Sequence, residues 1–256
     1  MLSFPSTSIA CIGSILMSTG FIFGQVVEKK KPEVPSIPSS PIPIHEKTHF
    51  IVKYIGITCG HMTLESRLEE LEGRPAYHIV MEARNSKFFN KIYKVDARFD
   101  SWVDAETLST LVYESVTTEK GETSYEHYEV DAANGRVVAT EDGEQSTLEF
   151  AGGQVLDPLA FVFRLQALTD IPGENITLTL LTSKGAVETV SRVSGLQKRR
   201  TARGRRNLVE VEPQPVDGTF FSRKGEFSLW VEPGAAGSLY VLDFRLSFGR
   251  LAAKLD

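Results

Sequence analysis

Few side chains in this 256-residue sequence have types and spacing suited to chemistry, and the closest pair of them is Cys59-Gly60-His61. A thiolate beside an imidazole can be nucleophilic or bind a metal. Residues two apart on a strand share a face, but the intervening glycine and a nearby turn favour ordinary packing for this pair. The five histidines, His45, His49, His61, His78 and His127, are scattered over the linker and several strands, which does not favour a metal site. There is no Gly-x-Ser-x-Gly elbow, and no glycine-rich phosphate loop precedes a helix. Asp96 and Asp100 flank Arg98 on one strand face, while Tyr125, His127 and Glu129 line another. Acid/base catalysis needs such groups desolvated and converging from different strands. Alternating charges along a solvent-facing strand form these ladders routinely, so the expectation is a solvated face. The chain reads as a non-enzyme without catalytic residues, metal or cofactor.

The strongest charge anomaly is Lys198, Arg199, Arg200, Arg203, Arg205 and Arg206, six cations in nine residues of a chain with net charge −5. They lie between two strand-like stretches and are expected to crown a hairpin tip with Gly204 at the turn. Polyanions, such as anionic lipid head groups or envelope phosphates, are the natural partners, which allows peripheral membrane contact. No aromatic residue interleaves with the cluster, so nucleic acid is not an expected partner. A tip kept charged for solubility is the competing explanation.

The elements that must position these residues have a period of two. Val95, Ala97, Phe99, Ser101 and Val103 alternate with Asp96, Arg98, Asp100, Trp102 and Asp104, giving one apolar and one polar-aromatic face. Similar runs are Phe50 to Gly56, Met62 to Leu68, Tyr77 to Ala83, Leu111 to Thr117, Tyr125 to Val130, Ile176 to Leu181, Val187 to Val193, Leu208 to Val211, Phe220 to Val231 and Leu239 to Phe248. Turn signals such as Glu72-Gly73, Lys120-Gly121 and Asp142-Gly143 separate them and favour an antiparallel meander. Asp157 is a good helix N-cap, Pro158 suits the first turn, and Leu159 to Leu168 is apolar on nearly every side before Pro172-Gly173. Such a helix must be buried. The predicted fold is therefore mainly β, with one or more antiparallel curved sheets forming an open barrel or a sandwich around one buried helix near 158–168. Ser86 to Lys94 breaks the pattern as a short helix or loop presenting Phe88, Phe89, Ile92 and Tyr93, either capping the core or covering a cavity. If a ligand is enclosed, Phe88, Phe89, Tyr93, Trp102 and Phe161 are the side chains expected to meet it.

Ile9 to Gly24 has the length of a signal-peptide core and is short for a membrane span. Cleavage fits after Gly24 or after Gly20. Met1 to Ser8 carries no Lys or Arg, while Lys29 to Lys31 follow the apolar run, a bias that suits an uncleaved anchor of inverted orientation. The prolines between Lys31 and His45 form a semi-rigid spacer or an inconsequential leader. This divides the chain into a signal peptide at 1–24, a linker at 25–46 and one β-rich domain at 47–256. With Cys11 removed, Cys59 is a lone thiol and no disulfide framework is possible.

Tyr54-Ile-Gly-Ile-Thr-Cys-Gly-His-Met-Thr-Leu64, Phe89 to Tyr93 leading into Asp96 to Asp104, Asp157-Pro-Leu, Val211-Glu-Pro213 and Arg223-Lys-Gly-Glu-Phe-Ser-Leu-Trp230 together resemble family 3108 of the bacterial domains of unknown function. The resemblance spans about residues 47 to 256 and implies an exported envelope protein. It implies no activity, cofactor or catalytic residue, and Cys59 stands where a small residue such as Ala is expected. Two functions stay open: a monomeric, non-catalytic envelope protein that binds or carries an apolar or lipid-like ligand, or an interaction module using strand edges or the basic tip. On the export reading, N-terminal sequencing of envelope fractions should give a mature protein beginning near Gln25. Recovery of an intact Met1 chain facing the cytoplasm would support the anchor instead.

Overall fold

The computed structural model describes residues 45–91, 94–169, 173–182, 185–215, 225–234, 238–246 and 249–256. The apolar run from Ile9 and nearly all of the spacer lie outside the described residues, as does Tyr93. His45 and Glu46, assigned to the spacer by composition, already belong to the first strand.

Alternating patterns become strands wherever one face finds a core. The strands are β1 (His45–Tyr54), β2 (Ile57–Leu71), β3 (Arg74–Asn85), β4 (Val95–Asp104), β5 (Thr110–Glu119), β6 (Glu122–Asp131), β7 (Arg136–Glu141) and β8 (Glu144–Glu149). After the helix α1 (Pro158–Ala167) come β9 (Asn175–Thr182), β10 (Gly185–Val193), β11 (Gln197–Thr201), β12 (Gly204–Pro215), β13 (Gly225–Glu232), β14 (Ser238–Leu246) and β15 (Gly249–Leu255). Phe89–Lys91 forms a short 3₁₀ turn. In β4 the predicted apolar set of Val95, Ala97, Phe99, Ser101 and Val103 is buried, and Arg98 on the other face is exposed.

All named strand pairs are antiparallel and make a single sheet in the order β8-β7-β6-β5-β4-β3-β2-β1-β15-β14-β13-β12-β10-β9, with β11 paired to β12. The turn at Glu72 (φ 50°) and Gly73 (φ 80°) has the two left-handed residues that a tight hairpin requires. It sets Leu71 opposite Arg74 and carries that register back to Leu64 opposite Met81 and Met62 opposite Ala83. Strand pairing leaves the curved sheet unclosed, which makes it an open barrel rather than a two-sheet sandwich.

Residues 154–157 partly bridge the gap. The Leu156 amide donates to the Thr179 carbonyl (3.0 Å), the Leu181 amide donates to the Leu156 carbonyl (2.7 Å), and the Thr110 amide donates to the Val155 carbonyl (2.9 Å). The start of β5 and the edge strand β9 are thus tied through one segment that leads directly into α1. The helix packs against β3, β4 and β9 and buries Leu159, Ala160, Phe161, Phe163 and Leu165, with Arg164 and Gln166 buried beside them. Replacing Phe161 or Phe163, which are 1% and 0% exposed, with Ala is expected to cost about 3–5 kcal/mol in denaturant unfolding. A loss below about 1 kcal/mol would contradict their place in the core.

Candidate functional site

Where α1 crosses the concave face, packing leaves an apolar cavity of about 100 Å³. One side of the sheet contributes Val52, Met62, Leu64, Met81, Ala83, Phe99 and Tyr113, and the other contributes Phe227, Leu242, Phe244, Leu251 and Ala253. Pro158, Leu159, Phe161 and Val162 of the helix close the space from above. Among the described lining residues, only Tyr113 has an oxygen in its side chain. Met81, Pro158, Val162 and Phe244 are half-buried and mark where the cavity approaches the surface.

The helix is held over this space by Asp157, which is 0% exposed. One carboxylate oxygen accepts from the backbone amides of Leu159 (2.8 Å) and Ala160 (3.0 Å), and the other accepts from the hydroxyls of Ser101 (2.5 Å) and Thr110 (2.7 Å). The Asp157 amide donates to the Thr110 hydroxyl at 2.9 Å. Burial raises this carboxyl above its ordinary range, with the four donated hydrogen bonds pulling the other way.

Further along the concave face, Ser115, Glu126, Tyr128 and Glu141 form a polar group beside Tyr113. The Ser115 hydroxyl donates to Glu126 (2.7 Å) and the Tyr128 hydroxyl to Glu141 (2.7 Å). Burial pushes Glu126 from 4.5 up to about 7. Ser115 opposes that rise, while the negative charges of Glu141 and Asp142 add to it.

The side chains expected to meet a ligand do not converge. Phe161 lines the cavity, but Phe88 is 68% exposed and rests edge-on against Phe89, itself half-buried against the core. Trp102 points to the convex face because it has the opposite parity to Phe99 and Ser101. There it stacks on His78 with ring centroids 4.3 Å apart, donates to Glu69 (2.9 Å) and borders a shallow depression of about 580 Å³. Composition singled out the aromatics, whereas the cavity is lined mostly by aliphatic residues on distant strands. Pairing about the Glu72-Gly73 turn could have found Met62, Leu64, Met81 and Ala83, since its register puts them side by side on one face.

The carboxylate ladder lies on the convex face, but its centre is not solvated as expected, since cross-strand neighbours cover Asp100 (8% exposed) and His78 (4% exposed). Arg98 donates to both oxygens of Asp100 (2.7 and 2.8 Å) and to Glu82 (2.9 Å), and His78 is 2.8 Å from Asp100. Burial alone would raise Asp100, but hydrogen bonds and charge from His78 and Arg98 outweigh it and hold the carboxyl low. His127 lies between Glu114 (3.0 Å) and Glu129 (3.1 Å). Arg98 with Asp100 and Glu82 forms a compensated ion-pair ladder.

Cys59 and His61 do not share a face, contrary to simple strand parity. Val52 pairs with Gly60 and Lys53 with Thr58, which leaves Cys59 as the extra residue of a bulge. The bulge turns Cys59 into the core (5% exposed), while His61 stays outside. Burial raises the Cys59 thiol. A Cβ on Gly60 would collide with the Arg84 carbonyl, so the bulge needs glycine there.

The basic cluster lies in the two paired strands of a hairpin with Gly204 at its turn. Lys198, Arg199 and Arg200 lie in β11, Arg205 and Arg206 lie in β12, Arg203 is at the turn, and Gly204 has φ 93°. The aromatic neighbour missing from the local sequence comes from β13, where Trp230 lies beneath the Arg199 guanidinium, 3.6 Å from the ring centroid.

A family model described as "Protein of unknown function (DUF3108)" matches residues 49–256. No curated protein shows significant sequence similarity to the chain. The fold is similar to the crystal structure of a β-barrel-like protein of domain of unknown function DUF1849 from Brucella abortus. That similarity has a TM-score of 0.57 and 12% identity, and covers 82% of this chain and 94% of the other. At that identity the likeness concerns the fold alone. Among the described residues no helix is long and apolar enough to cross a membrane.

The raised Glu126 pKa has a consequence for stability. The folded protein binds this proton more tightly than the unfolded chain does. Its stabilising contribution is therefore complete below about pH 4.5 and is lost as pH rises through about 7. Glu126→Gln should flatten the stability profile between these values, by up to about 3 kcal/mol before solvent screening is discounted. Denaturant titrations across that range check it, and an unchanged slope would contradict the assignment.

Proposed function

The chain belongs to the DUF3108 family, whose description assigns no activity, and on that premise we propose that it is a non-catalytic binding protein for an apolar or lipid-like ligand, acting in the cell envelope after export. The observation that carries this reading is the cavity, walled by both arms of the sheet and by α1 almost wholly with hydrocarbon. Water gains few partners in such a space, while an apolar chain recovers the dispersion contacts that the walls lack.

Size narrows the ligand. Sites that enclose a whole drug-sized molecule measure about 300–1,000 Å³, so a space near 100 Å³ suits one end of an acyl-type chain. The remainder would leave past Met81, Val162 and Phe244. Met62 and Met81 are unbranched and polarisable, and can reshape the cavity around different chain ends. Export is supported by the apolar run from Ile9 to Gly24 and the proline spacer after it. Assembly through strand edges is the weaker alternative, because edge strand β8 is polar and carries Glu144 and Glu149, and charged edges discourage pairing.

The test is titration of the protein with a fluorescent fatty-acid probe, alongside Ala83→Phe and Ala253→Phe, which place a ring in the cavity. Each variant should weaken probe binding by about tenfold or more, equivalent to about 1.4 kcal/mol, and overpacking should lower stability by about 1–3 kcal/mol. Absence of probe binding by the parent protein, or equal binding by folded variants, would contradict the reading.

A further inference from the structure

In the β11–β12 hairpin Arg199 is directly opposite Arg206, and Arg200 is directly opposite Arg205. Like charges in directly opposed positions repel, so two successive Arg–Arg pairs, one on each face, are unfavourable unless something offsets them. No carboxylate does so: none of the six cations forms an ion pair with a side-chain carboxylate among the described residues. Of the carboxylates on β12 and β13, Glu210 accepts from Ser228 (2.9 Å), Glu232 from Tyr240 (3.0 Å) and Glu226 from Arg245 (3.2 Å), and Glu212 forms no ion pair with the six cations. Arg203 at the turn donates to the backbone oxygen of Asp256 at 3.2 Å.

Strand parity divides the cluster. Lys198, Arg200 and Arg205 occupy the exposed face, while Arg199 and Arg206 share the other with the buried Leu208. On that second face Arg199 covers the ring of Trp230, which is 3% exposed, and the Nε1–H of Trp230 is buried with no hydrogen-bond partner. The Nε–H of Arg206 is likewise buried and unpartnered. Unmatched buried groups are rare, and both of these are donors beside uncompensated positive charge. An anion with several acceptor oxygens would satisfy them, and planar guanidinium groups match phosphate geometry.

We propose that this face of the β11–β12 hairpin is a binding site for a phosphate-bearing anion, held by Arg199 and Arg206 beside the indole N–H of Trp230. Lys198, Arg200 and Arg205 on the opposite face add long-range attraction without building the site. The phosphate can come from a lipid head group or from a soluble phosphate.

Trp230 reports on the site directly. The chain has two tryptophans, so Trp102→Phe in the full-length protein isolates its emission, and co-sedimentation of the parent protein gives an independent readout. In low salt, phosphatidylglycerol vesicles or inorganic pyrophosphate should shift the Trp230 emission, whereas neutral phosphatidylcholine vesicles should not. About 0.5 M salt should abolish the shift if it is electrostatic. A response to pyrophosphate alone identifies a soluble phosphate as the ligand, and a response to vesicles alone identifies the head group. Arg199→Gln with Arg206→Gln should weaken the interaction by about tenfold or more at an unchanged Tm, from the loss of two cations. Lys198→Ser should change it by less than about threefold. The site is refuted if neither probe moves Trp230 and the parent does not co-sediment, or if the double Gln variant binds as well as the parent.

Discussion

Asp157 joins four parts of the molecule through one buried carboxylate. Its oxygens cap the first turn of α1 and receive the hydroxyls of Ser101 on β4 and Thr110 on β5, while the residues just before it hydrogen-bond to β9. A buried carboxylate is costly unless donors surround it, and here four donors do. Because the same residue caps the helix and anchors the segment that bridges the open barrel, it sets how far α1 stands from the concave face. The N-cap role was readable from Asp157-Pro158, but the two hydroxyl bonds depend on residues 56 and 47 positions away.

The cavity follows from that geometry. A curved sheet cannot match a straight helix along its whole length, and the capped end fixes the helix before its side chains can settle onto the sheet. At about 24 cal/mol per Å³, a cavity near 100 Å³ costs about 2 kcal/mol. That is a sizeable share of a typical net stability of about 5–15 kcal/mol. On the proposed reading, an apolar occupant would recover part of this cost through contacts with the hydrocarbon lining. The acidic group around Glu126 lies on the same concave face, so burial of charge and burial of apolar space are adjacent features of one surface.

Much of the architecture was legible because alternation and tight turns are local. Glu72-Gly73 alone fixes the β2–β3 register, and the β4 alternation separated its two faces correctly. Strands were missed where alternation is weak. Edge strand β8, Glu144–Glu149, is polar except for Leu148, the cationic β11 was read only as part of a hairpin tip, and the short β15 is interrupted by Arg250 and Lys254. The relation of Cys59 to His61 failed for a different reason, since a bulge reverses parity and its local mark, Gly60, reads equally as a nearby turn. The cavity was illegible because β15 inserts between β1 and β14, bringing Leu251 and Ala253 beside Val52, and no periodicity reports a contact across two hundred residues. Trp230 under Arg199 is another such meeting of segments distant in sequence.

The central claim is that the space under α1 is occupied by an apolar molecule in the working protein. Native mass spectrometry of protein purified without detergent from its own envelope fraction, with extraction and identification of any bound species, tests it most directly. The account predicts a bound fraction carrying an acyl-type chain, absent from the Ala83→Phe variant prepared in the same way. Protein that is ligand-free in every preparation, or a bound species retained equally by that variant, would contradict it.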